Sequence, residues 1–529
     1  MKILKVLVSD ALSKKGLEIL KKGKKLKVDV KTGLSPQELK KVIKDYQGII
    51  IRSKTKLTAD IIDSAKLLKV IGRAGVGLDN VDVAQATKRG IIVMNAPGGN
   101  SISTAEHTMS MLLALSRNIP QANASLKRHE WDRKKFMGVE LYGKTLGIIG
   151  LGRIGSEVAK RALSFGMEMI AYDPYCSIEK AKELRIKLGG LKELFTQSDY
   201  ITVHTPLIKE TRHLIGEKEI KLMKKGVRII NCARGGIVDE KSLLKALKTG
   251  RVAGTAMDVF EKEPPLNSPL LKIDNVISTP HLGASTEEAQ VNVAIDIAKQ
   301  VADALLGRGI RNAVNMPTIP KEIFKVIQPY ISLAEKMGSL QMQLIEGRPQ
   351  RLKVTYSGEV INFDLAPITI ALIKGLLEPV LPGRVNYVNA PLIAKERGIE
   401  IVEIKSSASL DFSNLISLEI ETDKRKSSIS GTLFGKNDPR IVVIDGYYVD
   451  AVPSGYMIIT FNEDRPGIIG RIGTVLGENN INIAGMTFGR RKKAGRAITV
   501  INIDSPVSDD LLKKIKKFKW IKEIKLLKL

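Results

Sequence analysis

Three stretches between residues 228 and 286 each carry a residue type that does little chemistry alone and much in company. Arg234 stands in "INCARGGIVDE", Asp258 and Glu263 in "TAMDVFEKEPP" and His281 in "STPHLGAST". An imidazole exchanges a proton near neutral pH when a carboxylate orients it, and a guanidinium offers a planar fork of donors that suits a substrate carboxylate. The chain has five histidines, and any one alone is more simply a packed side chain. Company is what singles out His281. Each stretch follows a short apolar run, and the strand ends of one parallel sheet converge on one cleft.

Upstream, "KTLGIIGLGRIGSEVAKRAL" places Gly150, Gly152 and Gly155 in G-x-G-x-x-G spacing between an apolar strand and a helix. The first glycine makes the tight turn and the second lets backbone approach a pyrophosphate. The third permits close helix packing, while the helix N-terminus favours the anion. Asp173 ends the next strand, "MEMIAYDPY", where a carboxylate accepts from the adenosine ribose and repels a 2′-phosphate. NAD is favoured over NADP.

The elements that must position these residues are legible as runs. "ILKVLVSD", "KVDVKT", "GIIIRS", "LKVIGRAG" and "IIVMNAP" read as strands of a parallel sheet with crossover helices. A long amphipathic helix is predicted from Ser103 through "STAEHTMSMLLALSRNIPQANASLKRHEW", joining two domains or packing on a second subunit. A second α/β unit runs from Lys144 to the "STPHLGAST" stretch, and "TEEAQVNVAIDIAKQVADALLG" is again helical. After "NAVNMPTIP" a mixed α+β region extends to Val452, and from Tyr456 the pattern is βαββαβ, of ferredoxin-like type. The expected domains are 1–98 with 284–316, 99–283, 317–452 and 455–529.

Composition sets outer limits. The 529 residues carry 43% hydrophobic and 26% charged residues, a globular balance. The net charge of +28 is spread along the chain, as in "KKGKKLK" and "KKIKKFKWIKEIKLLKL", and aromatics at 5% leave little for stacking bases, so neither nucleic acid nor membrane is expected as a partner. Two cysteines, Cys176 and Cys232, make no disulfide framework and have no metal-ligand company, which suits a reducing, cytoplasmic setting. "MKILKVLVSD" reads as a first strand rather than a signal sequence.

The motifs "GRAGVGLDNVD", "GLGRIG", "AYDP", "NCARGGIVDE", "MDVFEKEPP" and "TPHLGAST", with the C-terminal "DRPGIIG", resemble the D-2-hydroxyacid dehydrogenases. Over its whole length the chain resembles their long type, which acts on 3-phosphoglycerate and carries an intervening domain and an ACT domain. The resemblance implies two Rossmann- or flavodoxin-like parallel-sheet domains that close over an NAD and a small 2-hydroxyacid. It makes Arg234, Glu263 and His281 the catalytic set: His281 takes the proton of the C2 hydroxyl, Glu263 orients the ring, and Arg234 holds the carboxylate and C2 oxygen. Cofactor contacts fall on Gly150, Gly152, Arg153, Ile154, Gly155, Asp173, Thr205, Cys232, Ala233, Arg234, Asp258, His281, Gly283 and Ala284, with Cys232 contributing backbone rather than thiol chemistry. No metal is implied.

For a phosphorylated substrate the same resemblance assigns the backbone of Gly75, Val76 and Gly77 and the side chain of Asn100 to the carboxylate end. Val76 stands where many relatives carry threonine, which removes a side-chain hydrogen bond there. Arg52, Arg73, Arg133 and Lys135 are candidates for the phosphate. ACT domains pair side by side and bind amino acids at the pairing interface, so Asn462, Asp464 and Asn482 are candidates for L-serine as an effector, in a homodimer or homotetramer. Two other readings stay open: a relative acting on glyoxylate or hydroxypyruvate, and a nicotinamide-sensing binding protein, which would not need the proton-transfer set.

Overall fold

The computed structural model describes residues 3–22, 25–319, 321–407 and 411–529; Gly23 and Lys24 of the "KKGKKLK" run, and Pro320 after "NMPTI", lie outside them. Two parallel sheets come first. Strands β1 (Leu4–Val8), β2 (Leu26–Val30), β3 (Gly48–Ile51), β4 (Val70–Arg73) and β5 (Ile92–Asn95) pair in the order β2-β1-β3-β4-β5. Strands β6 (Thr145–Ile149), β7 (Glu168–Tyr172), β8 (Lys187–Leu188), β9 (Tyr200–Val203), β10 (Val227–Asn231), β11 (Val252–Met257) and β12 (Val276–Ser278) pair in the order β12-β11-β10-β9-β6-β7-β8. The order reverses between β6 and β9, where a doubly wound sheet opens its crevice. The inner strands, such as β3 and β9, are buried throughout because helices cover both faces, whereas the edge strands β2 and β8 carry exposed polar positions.

The link between them is α1 (Ser101–Arg117) followed by α2 (Ile119–Lys127), a pair where the sequence predicts one long helix. Asn118 at φ 53° ends α1 in the left-handed region, and Pro120 enters the first turn of α2, where its missing N–H is no loss. The local chemistry of an Asn and a Pro outweighs the continuous apolar pattern. Beyond the second sheet the chain returns to the first: α4 (Glu287–Leu305), which comes after α3 (Arg153–Ser164), buries Val293, Ile297, Ala298 and Val301 against Val6, Val8, Ile50, Val70 and Met94.

The C-terminal half holds α5 (Lys321–Leu344) and α6 (Ala366–Leu377) on a sheet of β13 (Pro349–Gly358), β14 (Glu400–Ser406), β15 (Asn414–Thr422), β16 (Lys426–Phe434), β17 (Asp438–Ile444) and β18 (Tyr447–Ala451). The last sheet, β19 (Tyr456–Glu463), β20 (Ile483–Arg490), β21 (Arg496–Ile503) and β22 (Ile521–Lys528), is antiparallel in the order β20-β21-β19-β22, with α7 (Ile468–Glu478) and α8 (Asp509–Lys516). Its alternation divides it. Ile458 and Ile501 pack under α7 and α8 with Ile472, Leu476 and Ile515. Met457, Ile459, Ile498, Val500 and Leu527 instead join Leu340, Leu352 and Ile429 of the preceding unit. The two C-terminal units therefore share one hydrophobic core.

Candidate active site

Register builds the site. Ile149, Val203, Asn231, Met257 and Ser278 are neighbours across β6, β9, β10, β11 and β12, so whatever follows them emerges on one edge. Those residues are the Gly150 turn, Thr205, Cys232 to Arg234, Asp258, and the segment from Thr279 to Ala284. In the first sheet Ile51, Arg73 and Asn95 are likewise aligned, which brings Arg52 and the Gly75–Gly77 turn to the facing edge.

Between the two edges lies a cleft of about 610 Å³, lined among others by Arg52, Arg73, Gly75, Asn100, Asp258, Glu263, His281 and Ala284. His281 Nδ1 lies 2.9 Å from Glu263 Oε2. That bond puts the ring proton on Nδ1 and leaves Nε2 free to exchange one. The Glu263 carboxylate raises the His281 pKa above the ordinary histidine value, against the pull of burial and of Arg234. For Glu263, burial pulls upward, but the bonds from His281 and from the Phe260 N–H (3.2 Å) outweigh it and hold the carboxyl below its ordinary value. His281 adopts φ 56°, a left-handed conformation that costs about 1 kcal/mol for a side chain of this kind. Its N–H donates to the Asp258 carbonyl at 2.9 Å, which holds the turn.

Asp258 anchors that segment. Its buried carboxylate accepts from Thr279 Oγ1 at 2.6 Å, Leu282 N at 2.7 Å and Gly283 N at 2.8 Å. Burial raises this carboxyl, but these donors and His107, whose Nε2 lies 3.2 Å away, bring it below its ordinary value. His107, which the sequence reading leaves as packing, thus belongs to the network under His281. His204 does not: burial pushes its pKa down to about 3, and its Nε2 meets only Thr202. Cys232 is buried, with its thiol pushed up to about 12, inert at physiological pH.

The glycine turn fits a dinucleotide. Gly150 has φ 94°, and a Cβ there would meet the His204 carbonyl oxygen at 2.7 Å. A Cβ on Gly155 would lie 2.1 Å from the Gly150 oxygen, so helix and turn pack too closely for any side chain. Gly152 is the reverse case, open at the N-terminus of α3 with nothing within 4 Å of a Cβ. Asp173 takes the Leu151 and Tyr175 N–H groups, both at 2.8 Å, which stations its charge beside the turn. Of the residues lining the cleft, Arg73 Nε and Asn100 Oδ1 are buried without a partner, as are Ser101 Oγ next to Asn100, Thr104 Oγ1 beside Gly283 and Thr205 Oγ1 beside Gly150. Asn100 stands at the N-cap of α1 yet makes no capping bond, so its side chain is available. Ser101 and Thr104, one helical turn apart in "NSIST", are additions to the predicted set.

Arg73 is mostly buried, and burial first, then the like charge of Arg234, push its pKa down to about 10. The two guanidiniums are near enough for each to feel the other's charge. Arg234 also meets Asp79, with Nε 3.2 Å from Oδ2. Among the described residues no group of three or more His, Cys, Asp or Glu side chains could hold a metal ion.

Three family descriptions match the chain: the NAD-binding domain of D-isomer specific 2-hydroxyacid dehydrogenases over residues 109–283, the D-3-phosphoglycerate dehydrogenase intervening domain over 326–445, and the ACT domain over 456–519. The D-3-phosphoglycerate dehydrogenase of Methanocaldococcus jannaschii is 48% identical over 528 residues, covering 100% of both chains. That of Bacillus subtilis is 44% identical over 99% of both. The chain belongs to the D-3-phosphoglycerate dehydrogenase family. Among solved structures, the TT0316 protein of Thermus thermophilus is similar at 35% identity and TM-score 0.55, over 59% of this chain and 100% of that one. A D-lactate dehydrogenase from Aquifex aeolicus, complexed with NAD and lactic acid, is similar at 32% identity and TM-score 0.53, over 57% and 96%. NAD is the cofactor.

Within this family member, several predicted residues stand apart from the cleft. Arg133 and Lys135 are exposed on the irregular segment after α2 and do not line it. The Val76 carbonyl is taken by Asn95 Nδ2 at 2.7 Å, and its side chain is not part of the lining. Arg153 and Ile154 open α3 beside the glycine turn. The ACT residues are split. Asn462 is buried at the end of β19, accepting from Thr499 at 3.2 Å and Thr460 at 3.3 Å, and borders a separate cavity of about 750 Å³ against the intervening domain. Asp464, held below its ordinary pKa by Arg490, bonds to that arginine at 2.9 Å. Asn482 donates to Asp504 at 2.6 Å beside the opposite sheet edge, where Ile483 and Tyr456 both pair with Ile503. Six strand positions separate Tyr456 from Asn462, which is roughly 20 Å at the usual rise.

Proposed function

We propose that the chain oxidises (R)-3-phosphoglycerate at C2 to 3-phosphooxypyruvate, the first step of L-serine synthesis. Bound NAD supplies the hydride acceptor, cradled by Gly150, Gly152 and Gly155 with Asp173 at the ribose. His281 takes the proton of the C2 hydroxyl through Nε2 and returns it in the reverse direction. Glu263 keeps the ring oriented and stabilises the imidazolium that forms. Arg234 holds the substrate carboxylate and the C2 oxygen. Arg73 and Arg52 meet the phosphate, while the Gly75–Gly77 backbone and Asn100 complete the carboxylate end. Closure of the two parallel-sheet domains, 1–98 with 284–316 against 99–283, excludes water around the transfer.

The observation that carries this reading is the convergence of the His281–Glu263 pair with Arg52 and Arg73 on one cleft. A monocarboxylic acid such as lactate or glyoxylate gives Arg52 and Arg73 nothing to bind. NADH formation with 3-phosphoglycerate and with glycerate tests it, in wild type and Arg73→Ala. The wild type prefers the phosphorylated acid, and Arg73→Ala raises KM for it about 10- to 100-fold while leaving the poor glycerate rate unchanged. Equal turnover of both acids by the wild type would remove the phosphate assignment.

The chain pairs as a homodimer through the α1–α2 region, where Trp131, Met137 and Tyr142 are each more than three-quarters exposed. ACT pairing extends the dimer to a homotetramer. L-Serine binds at that pairing, because the separation of Asn482 from Asn462 and Asp464 requires a second ACT domain to complete one site. The free thiols of Cys176 and Cys232 suit the reducing cytoplasm, and among the described residues no helix is long and apolar enough to cross a membrane.

A further inference from the structure

Resting on the reading of Arg234 as the group that holds the substrate, we propose that Asp79 is its positioning residue. The Asp79 carboxylate reaches from the first domain to the second, grips the guanidinium by its Nε edge and keeps the Nη edge turned to the substrate.

The argument begins with donors. Arg234 Nε lies 3.2 Å from Asp79 Oδ2, and Nη1 donates to the Ala233 carbonyl at 2.7 Å. These engage the inner side of the fork. Nη2 lies only 2.1 Å from where a Cβ on Gly77 would stand, so the guanidinium rests on the bare backbone of the turn that precedes Asp79. A guanidinium fixed at Nε and Nη1 has its remaining N–H groups on the outer edge, the arrangement a carboxylate meets with two parallel bonds. Without Asp79 the long side chain has one backbone contact to hold it and several rotamers to explore.

Charge points the same way. Arg73 and Arg234 repel across the cleft, and Asp79 is a carboxylate that acts on both. The same turn sets the third cation, because Asn80 Nδ2 donates to the carbonyls of Arg52 and Thr55, each at 2.6 Å. Residues 77–80 therefore arrange guanidiniums from both domains. The Asp79 side chain is 69% exposed, and an ion pair so open to water adds little to folding stability. Its consequence belongs in kinetics.

The test is a double-mutant cycle on the full-length enzyme with 3-phosphoglycerate: Asp79→Ala, Arg234→Lys and the pair, with Asp79→Asn and Asp79→Glu alongside. Asp79→Ala is expected to lower kcat/KM about 10- to 100-fold, with kcat falling as well as KM rising, while the NAD dissociation constant stays within twofold. Asp79→Glu recovers part of the loss, and in the Arg234→Lys background Asp79→Ala costs under about twofold. Wild-type kinetics in Asp79→Ala, or a full second loss in the Arg234→Lys background, would overturn the proposal. So would a lower KM in Asp79→Asn, because it would make the carboxylate a competitor of the substrate. Should Asp79→Ala fail to fold, Asp79→Asn carries the same comparison. Arg234→Lys with wild-type kinetics would fail the reading of Arg234 itself, an outcome distinct from a failure of Asp79 alone.

Discussion

The catalytic edge and the ACT sheet were read from the same kind of signal, short motifs at strand ends, and they come out differently in space. Arg234, Glu263 and His281 are apart in sequence yet emerge on one edge, where Glu263 and His281 meet, because every strand that precedes them runs the same way and ends on the same side. In the ACT sheet β19 and β20 also run the same way, each antiparallel to β21 between them, but Asn462 lies at the end of β19 whereas Asn482 precedes β20, so the two come out at opposite edges. Parallel topology gathers strand ends within one chain. A residue that precedes its strand falls on the far side from one that ends its strand, and the proposed serine site therefore draws on a second copy.

The largest effect expected on this contrast falls on the gathered side. His281→Ala should lower kcat by about 10²- to 10⁴-fold with NAD binding unchanged, since Nε2 carries the proton while the dinucleotide rests on the glycine turn. Steady-state NADH formation together with NAD titration reads both, and a parallel loss of NAD affinity would mean that His281 holds the cleft rather than the proton. On the separated side, Asn482→Ala should leave basal turnover within about twofold and abolish the heat of L-serine binding at millimolar serine. Serine binding by an obligate monomer would show that the effector site does not need the second copy.

Legibility followed the same division. The glycine turn and Asp173 were legible because each combines a fixed spacing with an apolar strand that dictates where it emerges, and the same apolar runs put Arg234, Glu263 and His281 at strand ends, whereas their proposed roles came from the family resemblance. Arg133 and Lys135 could not be placed, since nothing in an irregular segment says which way it faces, and they are exposed away from the cleft. The break at Asn118 was hidden by apolar periodicity that continues across it. Asp79 and His107 escaped for another reason: each acts on a neighbour distant in sequence, through a contact that only the packed domains create. The shared core of the intervening and ACT domains was likewise invisible, because alternation in β19 and β21 reveals two apolar faces but not what covers the second.

The central claim is that Glu263 and His281 form a prearranged acid–base pair, and the pH dependence of 3-phosphoglycerate oxidation tests it most directly. Oxidation needs the neutral ring, so kcat/KM should rise with pH through an inflection above the ordinary histidine value, as the raised His281 pKa requires. Glu263→Gln removes the carboxylate that raises it, so the inflection should move to lower pH as the rate falls about tenfold or more. An inflection that stays in place in Glu263→Gln would contradict the account, since the proton acceptor would then be a group that Glu263 does not touch.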